Sequence, residues 1–165
     1  MSEDKKIINN LSIGDALLSS REHVRASEDD HRMEFVDEVK GISFINDSRS
    51  IRLTATRTSL ECIKAPVVLI LGGNDQENDY SVIFRQVKDK VKAIVYLGAD
   101  SDKILTHYSR HSMLFVMAEN VKEAVQVSAA YARTGDVVLF SPACPAADYK
   151  NRGNEFREEV KNLIK

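Results

Sequence analysis

Three apolar runs constrain this chain more than anything else in it: residues 67–71 (VVLIL), 93–97 (AIVYL) and 136–140 (DVVLF), the last apolar after its opening Asp136. A strand wetted on one face alternates apolar and polar residues. A run with almost no polar position is covered on both faces, which is the habit of parallel strands sandwiched by helices. Segments of helical spacing follow the runs: 80–87, 102–108 and 121–132, with a further apolar stretch at 113–116. The helix over 121–132 is the clearest. Val121, Ala124, Val125, Ser128, Ala129 and Ala132 share a face, Asn120 stands where a cap is needed, Glu123 is placed to reach back, and Gly135 lies beyond the end.

Ahead of these units, residues 33–36 and 42–45 read as short strands around a polar segment that ends at Gly41, a hairpin with a five-residue connection. Residues 54–63 have helical character, with Leu53, Leu60 and Ile63 on one side, and residues 155–164 close the chain as a helix with Phe156, Val160, Leu163 and Ile164 inward. The expectation is an α/β three-layer sandwich around a mostly parallel sheet of about six strands, its crossovers right-handed, with an antiparallel hairpin at its start. A chain of 165 residues is one domain's worth. Residues 1–30 are polar apart from Ile7, Ile8, Leu11, Ile13, Leu17 and Leu18, and are expected to form a helix or a loose arm before a domain spanning 31–165.

Charge and composition narrow the function classes. The net charge of −2 is spread over both signs and offers no basic footprint, so nucleic acid is not an expected partner. No apolar run reaches the length of a signal peptide or the roughly 18 residues of a membrane span, so no membrane is expected and the cytoplasm is the expected compartment. Cys62 and Cys144 are the two cysteines, too few for a disulfide scaffold, and their apolar neighbours predict buried free thiols.

In an open parallel sheet, ligands bind outside the carboxyl ends of the strands. Four segments fall there: Asn46-Asp47-Ser48-Arg49, Gly72-Gly73-Asn74-Asp75, Gly98-Ala99-Asp100 and Ser141-Pro142-Ala143-Cys144. An Asp in the first can accept two hydroxyls, as from a ribose, and its Arg can grip a carboxylate or phosphate with two N–H groups. His31-Arg32 could stack on a base and reach a phosphate, although spacing alone favours a surface pair. His107 and His111 share a helical face but lack a third ligand. Neither GxGxxG nor GxxxxGK[ST] is present, so nothing in the chain grips the β and γ phosphates of ATP in the usual way, and without a G-x-S-x-G elbow Ser141 is not read as a hydrolase nucleophile.

Five segments, in order, resemble the C-terminal domain of the Mur ligases, nearest to the UDP-N-acetylmuramoyl-alanine:D-glutamate ligase branch: His31-Arg32-Met33-Glu34-Phe35-Val36, Ile45-Asn46-Asp47-Ser48, Leu69-Ile70-Leu71-Gly72-Gly73 with Asp79-Tyr80, Leu139-Phe140-Ser141-Pro142-Ala143-Cys144, and Asn151-Arg152-Gly153-Asn154-Glu155-Phe156. The resemblance covers residues 31 to 165 and implies a Rossmann-like fold. It also implies the last of three domains of an enzyme that activates a carboxylate as an acyl phosphate for attack by an amine, the P-loop and metal ligands lying in the central domain.

Carried over by position, His31 and Arg32 imply contacts to adenine and phosphates, and Asp47 to ribose. ATP or ADP is then the implied cofactor, with no metal held by this domain alone and a protein partner carrying the P-loop domain. The amino-acid and phosphate side, at Ser48, Arg49, Gln76, Ser141 and Ala146, departs from the family. Arg49 stands for a Lys, Gln76 for another Lys, Ser50-Ile51-Arg52 for an Ala-Thr-Asn-type run, and Pro145-Ala146-Ala147-Asp148 for Ala-Ser-Phe-Asp in a longer loop. A lost charged hydrogen bond costs roughly 1.5–3 kcal/mol, so D-glutamate is expected to bind poorly. Three readings follow: a nucleotide-binding or interaction module that is not catalytic by itself, a part of an ATP-dependent D-glutamate ligase of peptidoglycan synthesis, or an unrelated small-molecule binder on a similar sheet.

Overall fold

The computed structural model describes residues 31–72, 78–98, 101–111, 113–145 and 149–165. In chain order these form β1 (Glu34–Val39), β2 (Ile42–Asn46), α1 (Leu53–Cys62), β3 (Val67–Gly72), a 3-10 turn (Tyr80–Ile83), α2 (Phe84–Lys90), β4 (Val91–Leu97), α3 (Asp102–Tyr108), β5 (Leu114–Ala118), α4 (Val121–Tyr131), β6 (Val137–Phe140) and α5 (Tyr149–Asn162). The expectations on residues 1–30, Gly73-Asn74-Asp75, Gln76, Ala99-Asp100 and Ala146-Ala147-Asp148 lie outside the described residues.

The strands make one sheet in the order β1-β2-β6-β3-β4-β5, parallel throughout except for the β1–β2 pair. The apolar runs predicted to be covered on both faces sit centrally: every residue of β3 and β6 is buried. The two edge strands, β1 and β5, keep partly exposed residues. Helices α1, α2 and α3 pack on one face through Leu53, Leu60, Val87, Ile104 and Tyr108. On the other face α4 and α5 pack through Val121, Ala124, Val125, Phe156 and Val160, and Phe140 stacks on Phe156 at 5.0 Å. The three-layer α/β sandwich is as predicted.

Reversal of the chain after β5 positions the site. The path moves outward from β2 through β3 and β4 to β5, then returns with β6 inserted between β2 and β3. The connection leaving β2 therefore runs to α1 on one face and the one leaving β6 runs to α5 on the other, which opens a crevice between them at the carboxyl edge.

Local departures from the sequence reading have physical causes. The hairpin connection is two residues, not five. Lys40 and Gly41 have φ of 53° and 75°, the left-handed pair that a tight turn matching strand twist requires, so β1 continues through Asp37 and Glu38. A bulge between Phe35 and Asp37 breaks the alternation that would have revealed this. The segment predicted as one helix over 80–87 divides into the 3-10 turn and α2, which runs on to Lys90. The Lys90 ammonium donates to the carbonyls of Leu60 and Ile63, at 2.6 and 2.7 Å, and so serves the last turn of α1. Asn120 caps α4 as predicted, its Oδ1 accepting from the Glu123 N–H at 2.9 Å, but the Glu123 carboxylate reaches back to Glu119 N rather than to Asn120 N. Helix α5 begins at Tyr149, well before residue 155, and takes Gly153 into its interior. Cys144 is buried as predicted, whereas Cys62 is exposed. No described helix is long and apolar enough to cross a membrane.

Candidate functional site

Strand adjacency brings the two halves of the site together. Asn46 ends β2 opposite Phe140, the end of the parallel strand β6, so Asp47 and Ser141 leave the sheet side by side. Asp47 N–H donates to the Phe140 carbonyl at 2.8 Å. The Asp47 side chain is fully buried and gathers four segments. Its Oδ2 accepts from the hydroxyls of Ser50 (2.6 Å), Ser59 (2.6 Å) and Ser141 (2.8 Å), and its Oδ1 from the Met33 N–H (3.2 Å). Helix α1 contributes through a three-residue spacing that puts Thr56 and Ser59 on one side. Thr56 Oγ1 lies 2.8 Å from Ser141 Oγ, and because Ser141 donates to Asp47, Thr56 is the donor in that pair.

A second knot lies behind the first. Asn46 Oδ1 accepts from Ser48 N–H at 3.2 Å, which fixes the orientation of the amide. Its Nδ2 then faces His31 Nδ1 (2.8 Å), the Gly153 carbonyl (3.1 Å) and Glu34 Oε2 (3.3 Å). The same His31 Nδ1 lies 3.2 Å from Glu34 Oε2, so imidazole, amide and carboxylate close one buried cluster. Glu34 Oε1 accepts from Arg157 Nε at 2.7 Å, tying β1 to α5. Helix α5 approaches so closely that a Cβ on Gly153 would lie 2.5 Å from Ser48 Oγ and 2.7 Å from His31 Cγ. The glycine is required by that contact. Arg152, one residue earlier, donates to the Ser48 carbonyl through Nη2 at 2.7 Å and to the Cys144 carbonyl through the same nitrogen at 3.1 Å, bridging the crevice from above.

Backbone strain gathers here as well. Of the four described non-glycine residues with positive φ, His31 (67°), Met33 (46°) and Ala143 (58°) stand in this cluster, and Lys40 stands in the hairpin turn. Such conformations persist where surrounding bonds hold them. The bonds from Arg49 N–H to the His31 carbonyl (3.2 Å) and from Ala143 N–H to the Ser50 carbonyl (3.0 Å) do so.

The structure thus collects five of the eight sequence-predicted residues, His31, Asp47, Ser48, Arg49 and Ser141, on one edge. Arg32, next to His31, is half-buried on the same segment and pairs with no described residue, whereas Gln76 and Ala146 are outside the described residues. Two readings of residue character change. His31 is 2% exposed, so it is neither a surface residue nor presented for stacking. Asp47 spends its acceptor capacity on internal hydroxyls. Ser48 Oγ is buried without a partner. Ser50, Thr56, Ser59, Arg152 and Gly153 belong to the cluster but were not singled out as site residues. Only the motif around Arg152 and Gly153 carried a signal, because a glycine inside an apolar-periodic stretch marks close approach.

The histidine pair lies elsewhere. His107 and His111 join Phe84 and Tyr108 in an aromatic cluster beside a cleft of about 370 Å³ between α2 and α3. Among the described residues no group of three metal-capable side chains exists.

Comparison with known proteins identifies the family. The family described as "Mur ligase, glutamate ligase domain" matches residues 31–144. UDP-N-acetylmuramoylalanine–D-glutamate ligases from Cytophaga hutchinsonii and Porphyromonas gingivalis are each 40% identical over 137 residues, covering 81% of this chain and 30% of their own length. The chain spans about a third of the curated relatives it matches. Among solved structures, a murein peptide ligase from Psychrobacter arcticus aligns over 91% of this chain and 35% of its own, with a TM-score of 0.58 at 11% identity. MurF ligase from Thermotoga maritima in complex with ADP aligns over 90% of this chain and 38% of its own, with a TM-score of 0.55 at 14% identity, so both show the fold alone. Sheet order, the motifs at the carboxyl edge and the matched family agree: this chain belongs to the Mur ligases and carries their C-terminal, glutamate ligase domain.

Proposed function

We propose that residues 31–165 form a nucleotide-binding module that closes one side of an adenine nucleotide, ATP or ADP, in the cytoplasm, and that it catalyses nothing by itself. The carrying observation is the meeting of the β2 and β6 loops at the point where strand order reverses. Arg32 and Arg49 lie there on segments joined by the Arg49–His31 backbone bond, with Asp47 buried between the loops. Helix α1 starts there with no side-chain cap from Arg52, so the positive end of the helix dipole and the Arg32 guanidinium together favour an anion. An acyl phosphate is made by gripping the transferred phosphoryl group from two sides. The sequence contains no P-loop, so the other grip comes from a partner protein or segment that carries one.

Calorimetric titration separates the parts of this reading. ADP is expected to bind weakly and D-glutamate not at all, and the chain alone should show no ATP turnover. Micromolar D-glutamate binding, or ligation by the chain supplied only with substrates, would refute it.

A second reading has a specific observation behind it: 40% identity to a D-glutamate ligase over 137 residues. Here the module is a working part of an ATP-dependent D-glutamate ligase in peptidoglycan synthesis. Co-purification from its native cell with a P-loop ligase domain, and ligation restored by mixing, distinguishes it from the first.

A further inference from the structure

We propose that Ser50 competes internally with the nucleotide's ribose for Asp47, holding the site closed until the loop of residues 49–52 turns outward. The proposal rests on the nucleotide reading above. A ribose presents two neighbouring hydroxyls that can both donate to one carboxylate. A carboxylate offers about four acceptor positions, and those of Asp47 already receive three hydroxyls and one backbone N–H. Three of these donors crowd Oδ2 and one reaches Oδ1, so a diol that donates to both oxygens reaches Oδ2 only by displacing a serine.

The three serines are not equally displaceable. Ser59 is fixed on α1 and has a second acceptor in the Ala55 carbonyl at 3.2 Å. Ser141 stands at the end of β6 and is held by Thr56 as well. Ser50 sits on the connecting loop, and its hydroxyl has Asp47 as its acceptor among the described residues. Ser50 is itself buried, its carbonyl accepting from Ala143 N–H at 3.0 Å, but its neighbours reach the surface, Arg49 half-buried and Ile51 41% exposed, so an outward turn that breaks that bond delivers the Ser50 hydroxyl to water. The nucleotide's affinity is then lowered by the fraction of time the loop spends closed. Removing the hydroxyl leaves Asp47 with an acceptor position open before the ligand arrives.

The test is calorimetry of ADP and of 2′,3′-dideoxy-ADP with the full chain, as wild type, Ser50→Ala and Ser50→Gly. Both variants delete the hydroxyl, and urea unfolding checks that each is folded. The expected result is ADP bound about tenfold more tightly by both variants, the scale of one charge-assisted hydrogen bond, with no gain for the dideoxy analogue. Equal ADP affinity in wild type and variants overturns the competition while leaving the nucleotide reading standing. So does weaker binding, or a gain kept by the dideoxy analogue. If no form binds ADP, the nucleotide reading itself fails and the competition falls with it.

Discussion

The two sides of this domain are held together by different physics. On the β2–β6 side, four segments distant in sequence converge on one buried carboxylate, and the bonds are short, directional and specific. On the β4–β5 side, α2 and α3 are held by ring packing: Tyr80 and Tyr108 lie edge to face at 6.3 Å, Phe84 is stacked on Tyr108 at 6.5 Å, and a buried polar bond runs from the Tyr108 hydroxyl to the Tyr80 carbonyl at 3.0 Å. Apolar packing tolerates shifts of a few tenths of an ångström, whereas a network of charge-assisted hydrogen bonds does not. The molecule places its directional bonds where loops converge at the carboxyl edge of the sheet and its tolerant packing elsewhere.

Substitution should expose this difference. Asp47→Ala, which strips the acceptor from three buried hydroxyls, is expected to cost about 3 kcal/mol in urea-unfolding stability. Gly153→Ala forces a methyl group against Ser48 and His31 and should cost about 2 kcal/mol, with the loss concentrated in protection of the β2 and β6 loops from hydrogen exchange. Tyr108→Phe keeps the ring and should cost about 1 kcal/mol. Its signature is in pH. Burial holds the Tyr108 phenol well above its ordinary value, so the phenol contributes stability that is complete below about pH 10 and is lost as pH rises toward the folded value. Tyr108→Phe should flatten that alkaline loss, and an unchanged alkaline limb would contradict the assignment.

The smallest effect belongs to Asp79. Its carboxylate caps the 3-10 turn by accepting from Ser81 N–H at 3.0 Å, and hydrogen bonding to Ser81 holds it below its ordinary value. Its contribution is present above about pH 4 and is lost as pH falls through the lowered folded value. Asp79→Asn should remove a slight acid dependence and little else.

Much of the fold was legible because the signals were local. Unbroken apolar runs announce central strands, and the Asn120 cap announces α4. The hairpin was harder, because Asp37 and Glu38 belong to an edge strand whose polar residues resemble a turn. Cys62 misled because its neighbours Leu60 and Ile63 are apolar, yet on α1 it points away from both and into solvent. The site was legible only as a set of loop segments. Nothing in the sequence says that Ser141 donates to an Asp 94 residues earlier, or that Gly153 must admit His31, because these contacts arise from inserting β6 between β2 and β3 and laying α5 over the crevice.

Under the proposed function a nucleotide binds on the carboxylate-centred edge and not in the aromatic cleft. Amide chemical-shift mapping of the full chain during ADP titration tests this directly. Shifts are predicted at residues 31–33, 47–52 and 141–145 and at Arg152, with residues 84–92 and 108–113 unmoved. Shifts confined to Phe84, Lys88, Tyr108 and His111 would contradict it.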